Sequence, residues 1–429
     1  MTGIILLGVF LSLCVVRVPV AISLLLSTLV AALQADIPLI VIAQQFWGGL
    51  ESFTLLAIPL FILSGAFMDK GGITEMIAKL SDTLVGHLRG SLGQVAVVCS
   101  MLISGVSGSA TADCAAVGSI FIPAMARENY KKELAAGIIA ASTTMGPIIP
   151  PSILMVVYAA SANVSVGALF LAGFGPGILV GLTQMALIYV IARKTGLGAS
   201  HSMATFSEIL REFARCFPAL LVPVIIIGGI IVGIFTATEA GMIAAVYCLL
   251  VSAFLYRTIT VKDLPGLFKT SALASAPALF CIGTASSFGW MLAYTGIPNM
   301  ILKIISPYVN TPVEALVALT ILFVIVGMFM DALPAIVIFW PLVNAIATSV
   351  HLHSLHVAIV VAVVLSFGLM TPPYGITLLL ASQIAGVRPI GVVRLLFTFY
   401  VVFLIVVAVL IWLPDVALWL PRLLMPNAM

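Results

Sequence analysis

The chain has 429 residues, of which 62% are hydrophobic and only 8% charged, with a formal net charge of +3. Soluble domains carry roughly a quarter charged residues, so this composition excludes a water-covered globule, and so small a net charge gives no ground for a nucleic-acid partner. Apolar runs near the ~20 residues that cross hydrocarbon recur throughout, and they are continuous, which excludes a barrel of short alternating strands.

Residues 4–33 read as one retained helix, because no cleavage site follows a charged start as in a signal peptide. Within it, Arg17 fits either a functional contact or a snorkelling side chain. Residues 36–51, with Gln44, Gln45 and Trp47 but no basic residue, suit an interfacial loop or short helix. A second helix follows at 52–68, then a charged amphipathic stretch at 69–89 expected along the membrane surface. Residues 90–103 and 111–125 are each short for a crossing. Joined at Ser104-Gly-Val-Ser-Gly-Ser-Ala-Thr111, they read as a re-entrant hairpin spanning about 90–126. Residues 134–163 read as one helix broken at Gly146-Pro-Ile-Ile-Pro-Pro-Ser152, and 166–192 returns across the membrane.

A polar connector, 193–215, divides a first half (1–192) from a second (216–429). The second half opens with helices at 217–235 and 240–256 and a third ending near Tyr294. An amphipathic piece follows at 296–307. Residues 312–349 read as a second hairpin with Met330-Asp331 near its tip. Residues 355–385 read as a second helix, broken at Met370-Thr-Pro-Pro-Tyr-Gly375, and 390–413 as a last one.

The halves repeat. Gly72-Ile-Thr-Glu-Met-Ile77 matches Gly296-Ile-Pro-Asn-Met-Ile301, the pair Asp113/Pro123 is spaced as Asp331/Pro341, and Pro150-Pro151 answers Pro372-Pro373. Matches that keep order and spacing over so long a stretch indicate internal duplication. Entry of the first hairpin from the cytoplasm puts most of the 18 Lys and Arg residues inside, as positive-inside topology requires. The second hairpin then enters from the opposite face, so the repeats are inverted. The N-terminus is expected in the cytoplasm and the C-terminus in the periplasm.

Interrupted helices paired across a repeat point to the substrate and ion site of a secondary transporter. Serine and threonine hydroxyls and unwound carbonyls at the tips and breaks are hard, neutral oxygens suited to sodium, while prolines free upstream carbonyls. For the first tip alone, tight packing by small residues explains the sequence equally well, and for one break alone a proline kink without a ligand is the favoured reading. Asp113 and Asp331 are intramembrane acids and so candidates for function. Asp331 falls at a tip and suits solute contact; Asp113 suits a structural or ion-related role. An intramembrane aspartyl protease using both is the alternative from another class, but neither acid follows a Gly-x-Gly motif. Glu239 reads as a helix N-terminal acid. His351, His353 and His356 read as a solvated loop, lacking neighbouring ligands for a metal. The six cysteines are scattered singly, with neither metal-ligand spacing nor a disulfide framework.

Four segments together resemble the large membrane subunit of tripartite ATP-independent periplasmic (TRAP) transporters over essentially the whole chain. They are GSLGQVAVVCSMLISGVSGSATADCAAVGSIFIPAM, ASTTMGPIIPPS, GMFMDALPAIVIFWPL and FGLMTPPYGITL. The resemblance implies an all-α polytopic protein of the bacterial inner membrane, an inverted-repeat, elevator-type transporter of the ion-transporter superfamily. It implies sodium coupling with no other cofactor, and no enzymatic activity. It also implies a small four-helix membrane subunit, a periplasmic solute-binding protein, and an organic-anion solute of the sialic acid or C4-dicarboxylate type. Because the first apolar run starts at Ile4, the small subunit is expected on a separate chain. Carried onto this sequence, the sodium sites fall on Ser104, Gly105, Ser107, Gly108, Thr143, Gly146 and Pro150. The second set is Gly327, Met330, Asp331, Thr371 and Pro372. Ser107, Ser152 and Asp331 are the solute-site candidates. A stand-alone sodium/anion transporter of related architecture, needing no binding protein, remains the alternative reading.

Overall fold

In hydrocarbon an unpaired backbone N–H or C=O costs several kcal/mol, so apolar runs must satisfy their own hydrogen bonds, and helices do so within one segment. The computed structural model describes residues 2–16, 18–198 and 202–428, and these form helices joined by short turns, with no strand among them. Arg17 lies outside the described residues.

The first half comprises α1 (Thr2–Val15), α2 (Val20–Gln34), α3 (Leu39–Gly48), α4 (Ala57–Lys70), α5 (Ile73–Val85), α6 (Ser91–Ser107), α7 (Ala110–Arg127), α8 (Lys132–Ser142), α9 (Ile153–Ala162) and α10 (Val166–Thr195). The second comprises α11 (Phe206–Ile231), α12 (Ala237–Leu250), α13 (Leu264–Tyr294), α14 (Ile297–Ile305), α15 (Pro312–Phe329), α16 (Ala332–Ser349), α17 (Ser354–Gly368), α18 (Ile376–Ala385), α19 (Pro389–Trp412) and α20 (Asp415–Leu424). Among the described residues, eight helices are long and apolar enough to cross a membrane.

From α4 to α10 and from α13 to α19 the same order recurs: long helix, short amphipathic helix, two-helix hairpin, interrupted helix, long helix. Both amphipathic helices follow a left-handed glycine, Gly72 at φ +71° and Gly296 at φ +71°, a conformation glycine adopts without a side-chain clash. The second helix of each hairpin packs on the far half of the other repeat's interrupted helix, α7 on α18 and α16 on α9. The base of the first hairpin sits at the C-terminal end of α10, where Gly90 N–H donates to Gly198 O at 3.0 Å. The N-terminal end of α10 lies against α20, with Gly167 beside Met425. The start of α17, just past the base of the second hairpin, meets the end of α19, where His356 Nε2 lies 2.7 Å from Leu410 O. The first hairpin is thus based at the C-terminal end of α10, whereas the chain beyond the second hairpin meets the end of α19, which leads into α20 at the N-terminal end of α10.

Several boundaries differ from the sequence reading. Residues 4–33 are two helices, α1 and α2, that fold back on one another, not one. Pro19 accounts for the break, since it lacks an N–H and its ring excludes the carbonyl one turn before it. Gly3 consequently lies against Thr295 and Ile297, beyond the C-terminal end of α13. Lys70 lies at the other end of α13, 3.6 Å from Asp263. The Thr260 hydroxyl and amide, with Lys70 behind them, hold the Asp263 carboxyl below its ordinary range. Gly3 and Lys70 therefore lie at opposite ends of α13.

The connector expected over 193–215 is shorter, because a Thr205–Glu208 capping box starts α11 at Phe206. The division at 216 therefore cuts through a helix. An additional short amphipathic helix, α20, follows the last long one, with Asp415 paired to Arg422. His356 is buried in α17 rather than in a solvated loop. Glu239 closes a capping box on Thr236, whose amide donates to it at 2.8 Å, as a helix N-terminal acid should.

The folded-back N-terminus has a direct test. A Cβ built at Gly3 lies 3.2 Å from Thr295 Cβ, near the usual disulfide separation of about 3.8 Å. The pair Gly3→Cys/Thr295→Cys should cross-link under mild oxidation, read as a mobility shift after proteolysis between the two positions. An unbroken helix over 4–33 would leave the thiols too far apart to join.

Candidate functional site

The first hairpin turns more tightly than its run of serines and glycines suggests. α6 continues through Ser104 and Gly105 to Ser107, so only Gly108 and Ser109 are non-helical. Gly108 ends α6 at φ +61°, donating its N–H to Ser104 O at 3.2 Å. Ser109 then caps α7, its hydroxyl accepting from Ala112 N. The shorter turn has a chemical cause. Asp113, fully buried one turn into α7, accepts hydrogen bonds from Ser104 Oγ at 3.0 Å and from Ser107 Oγ. A buried carboxylate needs such donors, and here they come from the last turn of α6, which they hold helical.

The first break follows α8. Thr143–Met145 form a 3-10 turn, and residues 146–152 carry no regular structure before α9. Thr143 Oγ1 donates to Ile139 O at 2.8 Å. Ser152 Oγ donates to Pro147 O at 2.7 Å and accepts from Met155 N at 3.3 Å, capping α9. The break and the tip meet backbone to backbone. A Cβ at Gly108 would lie 2.5 Å from Pro151 O, and one at Gly146 would lie 2.8 Å from Ala110 N. Gly105 faces Pro150 O, 3.6 Å from where its Cβ would be. Among the described residues the carbonyls of Pro150 and Pro151 accept no backbone hydrogen bond. Both are directed at the tip.

The second repeat builds the same contact from other residues. Asp331 caps α16, its carboxylate accepting from Ala332 N at 2.8 Å. Gly327 in α15 and Gly368 at the end of α17 pack so closely that a Cβ on Gly368 would lie 2.6 Å from Gly327 O. Tyr374 N–H donates to Met328 O at 3.0 Å, tying the break to the hairpin. Thr371 Oγ1 donates to Phe367 O at 2.8 Å. Thr377 reaches both Leu369 O, at 2.8 Å, and Ala140 O of α8, at 3.2 Å, joining the two breaks. The Pro150–Pro151 and Pro372–Pro373 bonds are both cis.

Between the two assemblies and helices α4 and α13 lies a cavity of about 1350 Å³, ample for a small organic molecule. Of the expected site residues, Ser107, Gly108, Asp113 and Asp331 line it. Ser104, Gly105, Thr143, Gly146, Pro150, Gly327, Met330, Thr371 and Pro372 do not; they belong to the tips and breaks behind its wall. Ser152 also stands off the cavity, since its hydroxyl is spent on capping α9. The two acids sit in separate networks, Asp113 with serines of α6 and Asp331 with the start of α16.

Three residues that matter here were not singled out from sequence: Gly368, Tyr374 and Thr377. Tyr374 was the most accessible to such reasoning, because it follows Pro372-Pro373 as Ser152 follows Pro150-Pro151.

The tip–break contact predicts a difference between two glycines. Gly108→Ala incurs the left-handed backbone cost of about 1–2 kcal/mol and a collision with Pro151 O. Gly196, at φ +77°, has open space where a Cβ would be, so Gly196→Ala incurs only the first. Thermal unfolding of the detergent-solubilised protein should show a clearly larger loss for Gly108→Ala. Equal losses would mean that the tip does not depend on this close approach.

The family model described as "Tripartite ATP-independent periplasmic transporter, DctM component" matches residues 7–416. A sialic acid TRAP transporter large permease of Vibrio cholerae is 35% identical, the match covering 89% of each chain. A C4-dicarboxylate TRAP transporter large permease of Pseudomonas aeruginosa is 38% identical over 87% of each. The solved structure of Neisseria gonorrhoeae MtrF, described as illuminating a class of antimetabolite efflux pumps, shares the fold at a TM-score of 0.56 and 13% identity. That match covers 88% of this chain and 83% of the other. With a family match over nearly its whole length and two tip-on-break assemblies around one cavity, the chain belongs to the DctM family, the large permease component of TRAP transporters.

Proposed function

We propose that this chain is the transport subunit of a sodium-coupled importer for an organic anion of the sialic acid or C4-dicarboxylate type. A periplasmic binding protein delivers the solute, and a small four-helix membrane subunit completes the complex in the bacterial inner membrane. The observation that carries this reading is the pair of hairpin tips, each docked on an interrupted helix of its own repeat and facing a common cavity. Unpaired carbonyls of Pro150 and Pro151 beside the Ser107–Asp113 pair supply hard oxygens and one negative charge, a set suited to sodium. The relatives' names support an organic-anion solute.

The cavity wall itself argues for cation coupling. It includes Asp69, Glu75, Asp113 and Asp331 and, among the described residues, no Lys, Arg or His. An anion entering such a space needs bound cations to offset the carboxylates. Hairpins and interrupted helices then move as one body against α4 and α13, carrying solute and sodium across without opening a continuous pore.

Uptake into proteoliposomes holding the complex, with its binding protein outside, should require an inward sodium gradient. Asp113→Asn should raise the sodium concentration for half-maximal uptake about tenfold, a loss of roughly 1.4 kcal/mol. Asp331→Asn should depress solute uptake more than sodium dependence. Uptake indifferent to sodium would sink the coupling, and full uptake without the binding protein would favour a stand-alone transporter.

A further inference from the structure

The residue that follows the paired prolines takes a different place in each break. In the first, Ser152 follows the paired prolines and turns back into the protein, donating to Pro147 O and capping α9, wholly buried. In the second, the matching residue is Tyr374, whose side chain is too large for that role. α18 begins instead at Gly375, with no side-chain cap. Tyr374 is half-buried and lines the cavity together with Asp331 and Cys281. Among the described residues its backbone N–H is bonded and its hydroxyl is not. Its backbone is fixed by Pro372-Pro373 before it and by the Tyr374 N–H to Met328 O bond, so the ring is held at the second hairpin.

Among the described residues, a phenol without a hydrogen-bond partner, tied down at its backbone and facing a space lined by no basic side chain, is equipped for one task. It can donate a hydrogen bond to an anionic oxygen, and its ring limits how large a solute lies beside Asp331. We propose that Tyr374 is a specificity-determining residue of the solute cavity, binding a carboxylate or sulfonate oxygen of the solute through its hydroxyl and setting the size of the subsite with its ring. This rests on the reading of the cavity as the solute site.

Native Cys281, on the α13 wall of the cavity, provides the readout. In a chain whose other five cysteines are replaced by alanine, N-ethylmaleimide labelling of Cys281 is followed in membrane vesicles with sodium present. Succinate, isethionate and N-acetylneuraminate are each added as a possible protectant. At least one should protect Cys281. Tyr374→Phe should raise the concentration for half-protection by about tenfold, as expected for losing a hydrogen bond to a charged group. Labelling without anion should stay unchanged, as it would not if the hydroxyl only held the fold. Tyr374→Val should shift protection towards the bulkier anion. Equal protection of the native and Phe proteins would overturn the role of Tyr374 while leaving the cavity as the solute site. Failure of all three anions to protect the native protein would overturn the proposal and the solute reading together.

Discussion

Backbone that leaves a helix at membrane depth must find new partners, and this requirement governs the rest of the molecule. At each break the chain meets it by bringing a second backbone against the first. Gly108 and Gly146 let the first tip lie on residues 146–151, and Gly327 and Gly368 do the same in the second repeat. Each contact is possible only because side chains are absent on the facing surfaces. The carbonyls left over, those of Pro150 and Pro151, point into the seam and are its chemical resource. The deep burial of α8, α9 and α17 follows from the same requirement, because interrupted helices must be enclosed by protein rather than lipid.

The features most legible from sequence were those with a partner elsewhere in the chain. Asp113/Pro123 and Asp331/Pro341, or the two Pro-Pro pairs, carried little meaning singly and much in register. They located both hairpins and both interrupted helices within a few residues. Composition and apolar run length supplied the helical class for a simple reason: a lipid-facing chain has few other options. What sequence missed depended on side-chain pairing across elements. Serine and glycine are weak helix formers, so the run 104–111 on its own favours unwound backbone. Asp113, recruiting Ser104 and Ser107, reversed that local preference.

The N-terminal error has a different origin. Residues 4–33 form an apolar run long enough for one crossing, and Pro19 within it is compatible with a kink. Whether such a proline bends a helix or ends it depends on what the two halves pack against. Here Phe10 lies 5.3 Å from Phe288 of α13, and α2 also packs along that helix. Length alone could not distinguish one helix from two. Likewise, the roles of Ser152 and Tyr374 diverge only because a small hydroxyl can turn inward to cap a helix and a phenol cannot.

The central proposal is that hairpins and interrupted helices form one body that moves against α4 and α13. Two cross-links in a chain cleared of native cysteines separate its parts. One joins Gly289→Cys of α13 to Ile338→Cys of α16, where a Cβ on Gly289 would lie 3.9 Å from Ile338 Cα. The other joins Tyr158→Cys of α9 to Trp340→Cys of α16, whose rings are 5.5 Å apart within the body proposed to move. Bridged by a short bismaleimide, the first pair should abolish uptake while sodium still binds, and the second should leave uptake largely intact. Normal transport through the first bridge, or complete loss through the second alone, would contradict the account.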